Sequence, residues 1–505
     1  MTSSTRPAPH LSKSRYLAGL QCARRLWLGW HEPEPGVEAP AGTILAVGHE
    51  VGDMARQLFP GGILVGGGPR DFQEAVAQTK ELILDRSVPA IFEAAFEFED
   101  VWVRADVLQR REDGSWNLLE VKSSTGLKPE HIDDLAVQRY VLEGSGLQVA
   151  SASLVHINTK YVLRRRGLDL PRFFACVDVS DAVASALADV PGRVAEMQQT
   201  LSLTGPPARE PSNHCFRPFV CEFWDRCTKD KPNDWIWRLP GLRAERLAQL
   251  HEMGVGSLLA VPDDFPLTAA QRRVIEAFRE GGLVVQPGLS AMLPSPPPPV
   301  SYLDFETFSP AIPLYEGTRP YQRLAAQWSL HTTDASGQLM HREFLADLRA
   351  DPRRAFAESL LEAVPGDGPI VVYSSFESSV LGELSKRFDD LAAALKSVQA
   401  RLFDLLPVVR RSVDHPDFQG SNSIKAVAPV LAPELSYDGL ADIAEGGAAS
   451  AALYRLATGQ FQRGESPQTL RSSLLRYCAT DTVALALVHR ALADLAVEAP
   501  QPAPT

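Results

Sequence analysis

The sequence predicts an α/β protein made of two large mixed layers with a small helical segment between them. Three observations carry that reading. The chain has 505 residues, too many for one hydrophobic core. Apolar residues alternate with polar ones in two separate regions, 91–122 and 300–345, and helical spacing follows each. A stiff run, Pro-Ser-Pro-Pro-Pro-Pro at 294–299, stands between them.

The first region, residues 1–232, opens with helical spacing at 12–29 and again at 41–58. Residues 91–108 read as two strands around an acidic turn, and 116–122 (WNLLEVK) continue them after a turn at Asp113-Gly114. A helix over 130–143, a strand over 151–157 and helix over 180–203 complete it. Residues 233–293 carry helical periodicity without strands. The stretch LPGLRAERLAQLHEMGVGSLLAVP reads either as a helix–hairpin–helix-like element, able to offer backbone N–H groups to a phosphate, or as a plain helical spacer. After the 294–299 linker, SYLDFETF is a strand, with further strands at 321–331, 340–345 and 369–374. Helices are expected at 352–364, 376–398 and 469–494. This last region spans 300–495, and 496–505 is expected to be a disordered tail.

Composition narrows the class of protein. With 45% hydrophobic and 22% charged residues the chain is ordinary for a soluble globular protein. No uninterrupted run of 18 apolar residues exists, so no membrane partner is expected. The N-terminus lacks an apolar signal core, and a cytoplasmic location is expected. A net charge of −12 argues against gripping nucleic acid by bulk electrostatics, though bound cations can neutralise an acidic site. Six cysteines in so long a chain do not suggest a disulfide framework. Cys22 stands alone, Cys215, Cys221 and Cys227 cluster, and Cys176 and Cys478 read as packed thiols.

One set of acidic residues lies in the first region. Glu120 and Lys122 are two apart on a strand, so their side chains share a face, and Asp106 ends the neighbouring strand. Two carboxylates can hold Mg²⁺ or Mn²⁺, and a lysine beside them can stabilise developing negative charge. The alternative is that these are solvated strand charges. Glu93 offers another acid, His49 a further metal ligand, and Gln138 and Tyr140 follow on the next helix as substrate-binding candidates.

These residues resemble the RecB-like branch of the PD-(D/E)xK nucleases, especially the CRISPR-associated adaptation nucleases and the AddB nuclease domain. The resemblance spans about residues 11–230 and implies a restriction-endonuclease-like fold. It implies Asp106 and Glu120 as metal ligands, Lys122 as catalytic, and His49 as assisting the metal. That branch also has one cysteine before the nuclease core and three after it, holding a [4Fe–4S] cluster. Cys22 with Cys215, Cys221 and Cys227 matches that layout, with C-x5-C-x5-C where the family has C-x2-C-x5-C. Zinc, with His214 as a further ligand, and simple buried thiols remain open alternatives.

A second acidic set lies in the last region. Asp304 and Glu306 are two apart on a strand, and Tyr477 and Asp481 are four apart on a helix. Two-metal phosphoryl hydrolysis needs carboxylates that hold ions roughly 3.5–4 Å apart. A D-x-E strand followed by a late Y-x3-D helix resembles the DEDD exonucleases of the DnaQ-like, RNase H-fold group, in the tyrosine-bearing DEDDy variety. The resemblance covers about residues 300–495. It points to Glu377, after Tyr373-Ser374-Ser375-Phe376, and to Asp404 as the remaining ligands; glutamate replaces the family's usual aspartate at 377. Lys425 is a candidate for contact with substrate phosphate.

Together these features lead to the expectation of a divalent-metal-dependent nuclease with two phosphodiester-hydrolysing sites. It would act on DNA and/or RNA, with DNA favoured for the first region and removal of residues from 3′ ends for the last. The alternatives are a nuclease with one active site whose other domain clamps the substrate, and a non-catalytic nucleic-acid-binding assembly protein.

Overall fold

A computed structural model describes residues 9–33, 41–67, 71–293, 299–334, 336–435 and 446–498. It is mixed α/β and divides into two units. The first is Met1–Asp230 with Pro310–Gln322; the second is Lys231–Ser309 with Arg323–Thr505. No described helix is long and apolar enough to cross a membrane.

The first unit begins with β1 (Leu11–Ser12), α1 (Lys13–Gln21), α2 (Ala23–His31), α3 (Ile44–Arg56), β2 (Ile63–Leu64) and α4 (Phe72–Leu84). Its centre is β3 (Ala90–Phe98), β4 (Val101–Arg110), β5 (Trp116–Lys122), α5 (Pro129–Gly144) and β6 (Val149–Ile157). It closes with α6 (Leu170–Phe173), β7 (Phe174–Asp178), α7 (Ser180–Leu187), α8 (Val190–Ser202) and α9 (Trp224–Thr228). The seven strands run β2-β3-β4-β5-β6-β7, with β1 pairing parallel to β4. Strand alternation gives the sheet two apolar faces. One, with Ile91, Leu108 and Leu118, packs with Tyr16, Phe72 and Leu135 of the helices. The other, with Phe92, Val107 and Leu119, packs with Val51 and Ala55 of α3 and with Ala311 of the 310–322 segment.

That alternation slips at one place. Ile91 and Ala94 belong to the same face, as do Ala105 and Leu108, although each pair is three apart. Glu93, between the paired residues Phe92–Val107 and Ala94–Ala105, has φ 53° in the left-handed region. The local distortion therefore falls opposite Asp106. The β4–β5 ladder also stops there, at Val107–Leu119, and the Asp106 side chain takes over by accepting from Val121 N–H at 2.8 Å.

The second unit starts with α10 (Ala244–Glu252), α11 (Ala269–Glu280), β8 (Val284–Val285) and α12 (Leu289–Met292). A Thr268–Gln271 capping box opens α11, and Gly281 in the left-handed region closes it. There follow β9 (Val300–Phe308), β10 (Leu324–Thr333), β11 (Leu339–Leu345), α13 (Arg353–Ala363), β12 (Ile370–Val372), α14 (Phe376–Arg387) and α15 (Ala392–Ala400). Then come β13 (Leu402–Asp404), α16 (Leu406–Ser412), β14 (Val413–Asp414), α17 (Ile424–Leu431), α18 (Gly446–Thr458) and α19 (Pro467–Glu498). Five strands run β11-β10-β9-β12-β13; β9, β10 and β11 are antiparallel, and β12 and β13 run parallel to β9. Leu303 and Phe305 face the cluster of α13, α14 and α15, and Tyr302 faces that of α16, α17 and α19. Period two puts Asp304 and Glu306 on the Tyr302 side.

Several boundaries differ from those the sequence suggests. Residues 233–293 are no separate module. Strand β8 pairs with β14, Arg273 binds Asp414 at 3.0 Å, and Gly420 lies so close to the Arg238 carbonyl that a Cβ there would clash. Arg246 donates to the carbonyl of Pro266 and Arg272 to those of Asp263 and Phe265, tying this stretch together. Of the 294–299 linker, 294–298 lie outside the described residues, as do 499–505 of the expected tail; 496–498 are helical, because α19 runs to Glu498. The helix expected at 12–29 breaks at Cys22, whose φ −163° and ψ 121° are extended. Those expected at 180–203 and 376–398 are each two helices.

Candidate functional site

In the first unit the parted ends of β4 and β5 hold a buried charged cluster. Glu120 is 1% exposed and lies between two ammonium groups, Lys122 Nζ at 2.6 Å and Lys13 Nζ at 2.9 Å from Oε1. Lys122 also donates to Asp134 Oδ2 at 2.7 Å. Gln138, fully buried one turn along α5, donates to Glu120 Oε2 at 2.8 Å and Asp134 Oδ1 at 2.9 Å. Its own Oε1 has no hydrogen-bond partner. Lys13 Nζ is 3.6 Å from Asp106 Oδ1 and 3.8 Å from Asp134 Oδ1.

Burial and these neighbours divide the carboxyls. Burial first, then the Glu120 charge, pushes Asp106 up to about 7 and raises Asp134. Burial also opposes the Glu120 charge, yet Lys122 and Lys13 outweigh it and hold that carboxyl well below its usual range. Burial disfavours the Lys122 ammonium, but Glu120 and Asp134 keep it charged.

The structure thus joins Asp106, Glu120, Lys122 and Gln138, as their spacing suggests. It adds Lys13 and Asp134. Asp134 is four residues before Gln138 on one helix, a signal available in the sequence. Lys13 is 107 residues from Glu120, and no local pattern marks it. Two candidates fall outside the cluster. His49 is exposed on α3, where Val51 and Ala55 supply the buried side. Tyr140 turns away: its hydroxyl donates to Glu99 at the β3–β4 turn and its ring packs edge-on against Phe98. Two residues along a helix, Gln138 and Tyr140 project in different directions, so both cannot serve one site.

The four cysteines singled out from the sequence line one small cavity, of about 20 Å³, with His214. The helix break at Cys22 supplies one; Cys215 ends its tight turn with its carbonyl accepting from Cys221 N–H at 2.7 Å. Leu28, Phe223 and Trp224 wall the cavity. Gln21 ties its flanks together by donating to the carbonyls of His214 and Phe219 at 2.8 and 2.7 Å. His214 Nε2 lies 3.6 Å from Cys215 Sγ. Cys176 is exposed on β7 rather than packed.

In the second unit, Asp304 and Glu306 of β9 meet Asp481 of α19, with one oxygen from each within 4.8 Å of the other two. Among the described residues this is the one such gathering of three potential metal ligands. Glu377, in the first turn of α14, is 4% exposed, and its Oε2 has no hydrogen-bond partner. Asp404 is half-buried at the end of β13, accepts from Leu406 N–H at 3.0 Å, and acts electrostatically on Glu377. Burial, then Asp481, pushes Asp304 up to about 7; burial, then Asp304, raises Glu306 and Glu377. Such crowding of buried like charges is what a bound cation relieves.

Tyr477 lies 4% exposed beside these acids, and burial followed by the Asp481 charge raises its phenol. Lys425, on α17, donates to the Tyr477 oxygen at 2.9 Å and also covers its ring. Cys478, read from sequence as a packed thiol, is fully buried but donates to Asp304 Oδ2 at 3.2 Å.

A family model described as a domain of unknown function (DUF2779) matches residues 301–423, which contain Asp304, Glu306, Glu377 and Asp404. No curated protein matches the chain. A solved structure described as "Crystal structure of SSO0001" is 14% identical, covering 41% of this chain and 82% of its own, with a TM-score of 0.19. At that score the likeness carries no fold argument.

Proposed function

We propose that the chain is a divalent-metal-dependent nuclease with two phosphodiester-hydrolysing sites. The observation that carries the reading is the meeting of Asp304, Glu306 and Asp481, with a buried Glu377 oxygen unsatisfied and the Lys425–Tyr477 pair alongside. The donor set is all oxygen and fits Mg²⁺ or Mn²⁺. Asp304, Glu306, Glu377 and Asp481 would hold the ions, with Asp404 behind Glu377. Bound there, such ions polarise a phosphoryl oxygen and make a bound water more acidic. Tyr477 orients the attacking water through its hydroxyl, and Lys425 fixes that hydroxyl in place. A unit with strands first and β–α alternation afterwards supports the RNase H-like, DEDDy reading.

In the first unit Asp106, Glu120 and Asp134 would hold an ion, and Lys122 would stabilise charge on the phosphate. The E-x-K strand beside a glutamine-bearing helix supports the RecB-like reading, with DNA as its substrate; His49 and Tyr140 are left out of it. For the cysteines a [4Fe–4S] cluster is the reading that the resemblance supports, with zinc as the alternative.

The test compares Asp304→Asn and Lys122→Ala with the wild type on end-labelled single- and double-stranded DNA and RNA in Mg²⁺ and Mn²⁺. Each substitution is expected to remove a different set of products. Identical ladders from all three proteins would end the catalytic reading. The Lys13 ammonium amid the first unit's acids favours one second reading, in which the first unit clamps substrate and only the second cleaves. Lys122→Ala would then change affinity without removing any product.

A further inference from the structure

We propose that Lys13 is the resident cation of the first acidic cluster, and that a divalent ion binds there only by displacing its ammonium. The inference rests on the metal-site reading of Asp106, Glu120 and Asp134. Lys13 Nζ is within 3.8 Å of oxygens on all three carboxylates and lies closest to Glu120, at 2.9 Å from Oε1 and 3.1 Å from Oε2. Among the described residues no other cationic side chain lies within 4.0 Å of all three. Lys122 shares Glu120 Oε1 with Lys13 and takes the other oxygen, Oδ2, of Asp134.

The fold delivers Lys13 to that point. Leu11 and Ser12 pair with Val101 and Trp102 of β4, and Leu11 is fully buried. The next residue therefore starts α1 at a fixed place on the strand that carries Asp106. Its side chain is 23% exposed, as is that of Asp106, against 1% for Glu120 and Asp134, so this corner of the cluster borders solvent. With Lys13 in place, three carboxylates face two ammonium groups. With it withdrawn they face one, and the remaining negative charge suits a hard cation. Lys13 thereby sets the affinity of this site for metal.

The experiment measures Mn²⁺ binding by electron paramagnetic resonance on the full chain carrying Asp304→Asn and Asp481→Asn, which silence the other acidic cluster. Lys13→Met is expected to bind Mn²⁺ roughly tenfold more tightly than the parent, since one repelling unit charge is gone, and Lys13→Arg about as the parent does. Binding must disappear when Asp106→Asn is added. Equal affinities for Lys13→Met and the parent, both dependent on Asp106, overturn the role of Lys13 while leaving the metal reading intact. Absence of any Asp106-dependent Mn²⁺ in every protein overturns the metal reading and the proposal with it. A second measurement needs no substitution at Lys13: acetic anhydride labelling of the parent, read by mass spectrometry. Mn²⁺ is expected to speed acetylation of Lys13, and unchanged labelling at saturating Mn²⁺ overturns displacement.

Discussion

At Tyr477 the phenol oxygen accepts a hydrogen bond from Lys425, which leaves its own O–H to donate toward the acids or a water they hold. The two side chains therefore act as one device. Lys425→Met and Tyr477→Phe are each expected to lower second-unit turnover about 100-fold, the usual size for a positioned proton-handling group. KM should change little, and the double substitution should be no worse than either alone, as in groups acting together. Additive losses in steady-state kinetics would separate them. The carboxylates of this site were legible in the sequence because strand and helix periods make Asp304/Glu306 and Tyr477/Asp481 neighbours. The role of Lys425 as a partner of Tyr477, rather than of substrate directly, was not, since 52 residues part them. Cys478 is the packed thiol expected, but its hydrogen bond was hidden for a related reason. Burial of a thiol is visible in an apolar stretch, but the acceptor it finds, Asp304, comes from a distant strand.

Among the elements, the break between α1 and α2 matters most. Apolar spacing continues through it, so the sequence reads as one helix over 12–29. The extended backbone at Cys22 interrupts the helix and brings that residue to the cavity that also receives Cys215, Cys221 and Cys227. Protein purified without air should carry iron and sulfide and absorb at roughly 400 nm, as thiolate-ligated clusters do. Cys22→Ser should lose most of that iron and melt at lower temperature, and Cys176→Ser, at an exposed position on β7, should not. Iron-free, colourless wild type would exclude the cluster. The strands were easier to read than the helices. Residues 116–122 emerge with the bounds expected and the SYLDFETF strand starts one residue earlier, at Val300, because alternation ends sharply at polar turns. The slip at Glu93 and Asp106 was invisible, for it depends on how two strands meet rather than on either alone.

For the molecule as a whole, both acidic clusters store unfavourable charge. Asp106 and Asp304 are pushed up to about 7, and Asp134, Glu306 and Glu377 are raised as well, while Glu120 is held down by its lysines. A carboxyl with a raised folded pKa contributes stability that is full below its unfolded value near 4 and is lost as pH rises through about 7. The metal-free chain is therefore expected to melt at lower temperature at pH 8 than at pH 5. Mn²⁺ should restore more stability at pH 8, where protons no longer compete for the carboxylates. Melting curves in chelator and in Mn²⁺ test this, and greater metal-free stability at pH 8 would contradict it. The two-unit division was only partly legible at this scale. The proline run marks a change of composition, but residues on both sides of it belong to one unit, joined through β8–β14.

The excursion at 310–322 makes that division more than a matter of bookkeeping. The chain leaves β9 just after Asp304 and Glu306, contributes Ala311 and Ile312 to the first unit's apolar face, and returns to begin β10. On the way the Tyr321 hydroxyl donates to the carbonyl of Ser123, the residue after Lys122. The first unit is thus unfinished until the ribosome has passed residue 322, well into the second. One cut at the prolines would part the first unit from residues 310–322, which belong to it. A gene shortened there would encode a first unit with its Ala311-covered face open and the backbone beside Lys122 untethered.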